Sequence, residues 1–140
     1  MKRDMSENGP QYEADNGSGW LDKRTVNEAV LCGASAYDLK YYFNPEFSGI
    51  PQSIQDELRI ICVLFTQEAG GVFLIAFDPD GEVSLIADSD EEDITYDHVS
   101  SCLLMSEIRR KKADMLRSLS LYYRVMILKE DPALLLTEDD

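Results

Sequence analysis

Residues 72–88 read VFLIAFDPDGEVSLIAD, and they decide the fold class. Two runs of strand-forming residues, VFLIAF and EVSLIA, flank Asp78-Pro79-Asp80-Gly81. That tetrapeptide carries turn chemistry: an aspartate whose carboxylate can bond back to the main chain, a proline with φ preset, and a glycine free to take positive φ. The stretch reads as two strands joined by a tight turn.

Working upstream, residues 28–43 read as a second hairpin. EAVLC is rich in strand formers, Gly33-Ala34-Ser35 can turn, and residues 37–43 return with Tyr37, Tyr41, Tyr42 and Phe43 before Asn44-Pro45 ends the run. Between the hairpins, Pro51 suits an early helical position, and Ser53 followed three residues later by Asp56 fits a capping signature. Ile54, Leu58, Ile61, Cys62, Phe65 and Ala69 keep the helical spacing, and Gly70-Gly71 stops it. RIICVLFT at residues 59–66 is apolar and β-branched enough for a buried strand, a rival that periodicity alone leaves open. The helix is the favoured reading.

Downstream, the loop of residues 88–97, from Asp88 to Asp97, carries six acids in ten residues. Residues 99–128 then read as one long helix, with Ser100-Ser101 as a candidate break. Leu104, Ile108, Met115, Leu119, Tyr122 and Met126 form its apolar stripe, which Lys111 and Lys112 interrupt. The order β-β-α-β-β-α implies an α+β domain, an antiparallel sheet of about four strands with two main helices. Residues 1–24 read as a flexible polar arm in which Trp20 and Leu21 could dock, residues 25–131 as a single domain, and residues 132–140 as an acidic tail.

At 140 residues and 15.8 kDa the chain has room for one domain. Its 27 acidic and 13 basic side chains leave a net charge of −14, which opposes binding to nucleic-acid phosphates and anionic lipid. Charge is also segregated: residues 25–106 carry −13 and residues 107–129 carry +5. The basic run Arg109-Arg110-Lys111-Lys112 reads as a solvated face that offsets the acidic body, with a docking patch as the sharper alternative. An uninterrupted apolar run such as residues 60–65 covers about a third of the ~18 residues needed to cross a bilayer. Cys32, Cys62 and Cys102 form no CxxC and are odd in number, so they read as small buried hydrophobes in a cytoplasmic protein.

Chemistry is sparse. The acidic loop lacks the central glycine and closing glutamate of an EF-hand, and one histidine with three scattered cysteines lacks zinc spacing. There is no GxGxxG and no GxxxxGK[ST]. His98 is the one imidazole, and its adjacency to Asp97 and Ser100 does not make a triad. No catalytic, cofactor-binding or metal-ligating residue is assigned.

The runs LCGASAYDLKYYFNP, GIPQSIQDELRIICVLFTQEAGG, FDPDG and LSLYYRV resemble a family of small uncharacterised bacterial proteins that carry a domain-of-unknown-function label. The resemblance spans residues 31–131 and implies a free-standing cytoplasmic bacterial domain, with no activity or site to carry over. The leading expectation is a non-enzymatic protein-interaction module that pairs with itself or with another protein. The alternative is a small-molecule binding domain or cryptic enzyme using Cys32, Tyr37 and Tyr41. A weaker third is an acidic decoy of nucleic acid built on residues 88–97.

Overall fold

The computed structural model describes residues 12–15 and 29–130. Strands β1 (Glu13–Asp15), β2 (Ala29–Ser35) and β3 (Lys40–Phe43) lead through a 3-10 turn (Pro45–Phe47) into helix α1 (Gln52–Ala69). Strands β4 (Val72–Phe77) and β5 (Val83–Asp88) follow, and helices α2 (His98–Lys111) and α3 (Ala113–Met126) close the order. The five strands make one sheet in the order β1-β3-β2-β4-β5. β1 runs parallel to β3, and every other pairing is antiparallel. The α+β class expected from the sequence is present, but among the described residues the sheet has five strands rather than four and is mixed, and there are three α-helices rather than two.

β4 organises the interior. All six of its residues are buried, and the period of two divides them between the faces. Phe73, Ile75 and Phe77 join Leu58, Cys62 and Phe65 of α1 in the main core, while Val72, Leu74 and Ala76 sit with Val30 and Tyr42 on the opposite face. Two stacked ring pairs bind helices to this strand: Phe65 on Phe73, with centroids 4.1 Å apart, and Tyr123 on Phe77 at 4.3 Å. Offset stacking of this kind adds about 0.5–1.5 kcal/mol to the burial of each ring.

The deciding hairpin forms as its residues dictate. Asp78 Oδ1 accepts the backbone N–H groups of Asp80 and Glu82 at 2.9 and 3.0 Å, and Gly81 takes φ +93°. The turn also seats α3, because Ser120 Oγ donates to the Gly81 carbonyl at 2.6 Å. The other hairpin turns later than its composition suggests. Gly33 is mid-strand, and the chain reverses after Ser35, whose hydroxyl accepts from the Asp38 N–H at 3.1 Å and donates to its carboxylate at 3.0 Å. Tyr37 therefore lies in the turn and not in the return strand. A bulge between Val30 and Cys32 shifts the β2 register, and Leu31 joins Cys32 and Ala34 in the main core.

Residues 59–66 are helical throughout, inside α1. Its cap is Pro51, with no side-chain hydrogen bond, so Ser53 does not cap; Gly70 ends the helix at φ +86°. The long C-terminal helix is two helices, divided at Lys112 (φ −110°, ψ 23°) and not at Ser100-Ser101. Those serines lie inside α2, where Asp97 Oδ1 caps by accepting from the Ser100 N–H at 2.9 Å. At the junction of the two helices Lys112 Nζ reaches Glu57 of α1.

The polar arm is corrected in part. Tyr12 is buried, its hydroxyl 2.9 Å from Thr66 Oγ1, and Arg59 donates to the Tyr12 carbonyl at 3.1 Å. Glu13 pairs with Lys40 at 3.0 Å. Trp20, Leu21 and the tail of residues 132–140 lie outside the described residues. No helix among the described residues is long and apolar enough to cross a membrane.

The mid-strand glycine gives a direct check. A Cβ at Gly33 would stand 2.3 Å from Leu74 Cδ2 and 2.8 Å from the Phe73 carbonyl oxygen. Gly33→Ala is expected to lower stability by about 2 kcal/mol, the cost of overpacking a filled core, measured as a reduced midpoint in urea.

Candidate functional site

The outer surface of the helix pair α1/α2 holds large apolar side chains that the core does not use. Asp97 N–H donates to the Ala69 carbonyl at 2.9 Å at one end, and Lys112 reaches Glu57 at the other, so the two helices run antiparallel. That register brings Leu64 and Leu103 to the same level. Ile60 and Leu64 on α1 are 57 % and 55 % exposed, and Val99 and Leu103 on α2 are 70 % and 66 % exposed. Each pair is spaced one helical turn apart and so shares a face. Four large apolar residues thus lie exposed on adjoining helices.

Charge is ordered along the same helix. The acidic loop immediately precedes the α2 N-terminus, and Arg109, Arg110 and Lys111 occupy its last turn. Lys111 pairs with Glu107 at 3.3 Å. Within the loop, Asp93 Oδ1 accepts from the Thr95 N–H and hydroxyl at 2.9 and 2.6 Å, and Tyr37 donates to the Asp93 carboxylate while accepting from the Asp90 N–H at 3.0 Å. The hydrogen bonds from Thr95 and then Tyr37 hold Asp93 below the usual carboxylate range. Partial burial and the Asp93 bond push the Tyr37 phenol up to about 12. The loop is therefore tied to the β2–β3 turn by a tyrosine.

The residues proposed around the first hairpin do not converge on one spot. Cys32 is fully buried, Tyr37 sits at the acidic loop, and Tyr41 lines a cleft of about 270 Å³ with Gln52, Gln55, Asp56 and Arg59. The Arg59 guanidinium lies 5.2 Å from the Tyr41 ring centre. What the structure does bring together is Cys32 and Cys62, with sulfurs 3.8 Å apart, next to the Tyr41 hydroxyl. That hydroxyl is buried with no hydrogen-bond partner among the described residues. Burial pushes the Tyr41 phenol and the Cys62 thiol up.

Cys102 corrects the reading of three buried thiols, because it is exposed. With His98, one turn earlier on α2, it lines a cleft of about 530 Å³ beside β5. His98 rests edge-on against Tyr96, whose hydroxyl donates to Ser101 Oγ at 2.8 Å. Among the described residues, no group of three or more His, Cys, Asp or Glu side chains could hold a metal ion.

Two features escaped the sequence reading. The outward pairs Ile60/Leu64 and Val99/Leu103 were visible as apolar residues off the buried stripes, with one-turn spacing as the available signal. The meeting of Cys32 with Cys62 had no local signal, since it depends on how α1 lies over β2.

These elements define a small α+β domain with an apolar helical face and an acidic-to-basic axis along α2. The chain belongs to a family of unknown function, DUF6145, whose model matches residues 28–131. No curated protein and no solved structure matches it.

The Tyr37 tether has a pH signature. Its phenol is raised from the ordinary value of 10.0, so the protonated form favours the folded state. The stability it contributes is complete below pH 10.0 and is lost as pH rises through about 12. In NMR of protein labelled at tyrosine Cζ, the resonance that Tyr37→Phe removes is expected to titrate near 12, and Asp93→Asn to bring its midpoint down.

Proposed function

We propose that this domain is a non-enzymatic interaction module of the bacterial cytoplasm that acts by self-association through the α1/α2 face. The observation that carries the reading is the exposed set Ile60, Leu64, Val99 and Leu103 on adjoining helices. A second copy is the occupant that the charge distribution favours. A two-fold axis crossing the middle of α2 would set each basic end, Arg109 to Lys111, against the acidic loop of the other copy. An isologous interface of this kind uses one patch twice, and its complementary ends fix the register. The net charge of −14 disfavours nucleic acid, and the three free cysteines suit a reducing compartment.

A small-molecule binding domain is the second reading. It is favoured by an apolar cleft of about 490 Å³ between α1 and α3, lined by Ile50, Ile54, Met115, Leu119 and Tyr122 with Asp114 and Ser118.

Sedimentation velocity on the full chain tests the first reading. A dimer is expected at about 100 μM that weakens as salt rises from about 50 to 500 mM. Leu64→Glu with Leu103→Glu is expected to weaken it at least about 100-fold, with Tm changed by no more than about 2 °C because both side chains are exposed. A wild-type chain that stays monomeric at that concentration overturns self-association and moves the weight to the apolar cleft.

A further inference from the structure

Cys32 and Cys62 come from different layers of the fold and meet in the main core. Cys32 projects from central strand β2 just past the bulge, and Cys62 from the buried stripe of α1. Both are fully buried, and their sulfurs are 3.8 Å apart. Closing that gap to a disulfide bond needs an approach of about 1.8 Å. Tyr41, 5 % exposed, stands beside them with its hydroxyl toward Cys32, and it also lines the cleft that Arg59 and Gln55 share.

We propose that Cys32 and Cys62 form an oxidative modification site, at which a small hydroperoxide converts the facing thiols to a disulfide joining β2 to α1. In the first step one sulfur attacks an oxygen of hydrogen peroxide, the O–O bond breaks, and water leaves a sulfenic acid. The second sulfur then attacks the sulfenic sulfur, so that the S–S bond forms as the S–O bond breaks, and a second water departs. The two thiols lose two electrons and two protons, and the peroxide takes up both. Burial selects the oxidant by size. Hydrogen peroxide is little larger than water, whereas a glutathione-type disulfide is too bulky to approach either sulfur. Because burial keeps Cys62 protonated near neutral pH, the reaction accelerates as pH rises.

The test uses the full chain carrying Cys102→Ser, which removes the exposed thiol. The folded protein is treated with hydrogen peroxide at about pH 8, quenched by alkylation in denaturant, and mapped as non-reduced peptides. The expected product is one cross-linked peptide pair containing Cys32 and Cys62, with a Tm raised by about 5 °C and restored by dithiothreitol. Glutathione disulfide is expected to give no such product in the folded state. Adding Cys62→Ala should abolish the cross-link, and Cys62→Ser serves the same purpose if the alanine variant does not fold. Both thiols recovered fully alkylated, a sulfinic acid on one cysteine without the cross-link, or a cross-link that appears only in denaturant would each overturn the proposal.

Discussion

The structure depends on covering β4 on both faces. A strand whose six successive residues are all buried cannot lie at an edge or face water on one side. It is flanked by β2 and β5 in the sheet, and its alternate residues enter two separate clusters. The helices are placed by the larger side chains of that strand. Phe73 takes Phe65 of α1, and Phe77 takes Tyr123 of α3. The close approach of Leu74 to β2 then leaves room for hydrogen alone at position 33.

Placing α1 and α3 by their aromatic contacts leaves α2 with a lesser role in the interior. Of its residues only Ser101 is buried, whereas Leu104, Met105 and Ile108 pack from the side. A helix that contributes so little to the core is free to present its outer surface to something else. Its companion α1 does the same with Ile60 and Leu64, although its opposite side is deeply buried. The exposed apolar residues and the charge axis thus both involve α2. The thiol pair lies on the inner side of the same α1, so an oxidative link would stiffen the layer that carries the outer face.

Local chemistry was legible wherever the structure is decided locally. Asp78, Pro79, Asp80 and Gly81 form the expected turn, and the spacing of Leu58, Cys62, Phe65 and Ala69 marks the buried face of α1. The misread positions share a physical cause, since each is settled by a distant partner. Gly33 looks like a turn glycine but serves packing against Leu74, which displaces the turn to Ser35 and Asp38. Lys112 looks like an interruption of one helix and is a junction between two, where its ammonium reaches Glu57. The three residues of β1 have no strand signature of their own and take their conformation from Lys40, Tyr41 and Tyr42. The same applies to the candidate residues: Cys32 meets Cys62, and Tyr37 goes instead to Asp93.

The parallel pairing of β1 has a consequence for solution behaviour. Without it the margin of the sheet would be β3, whose sequence Lys-Tyr-Tyr-Phe combines high strand propensity with aromatic bulk and open main-chain donors and acceptors. A bare strand of that composition is a template for runaway association of chains. β1 occupies those groups with three residues, and Glu13 adds a carboxylate at the new border, matched to Lys40. The cover is three residues long, so its amides should exchange with solvent ahead of the central strands. Colloidal shelf life in this domain is thus governed by its smallest strand.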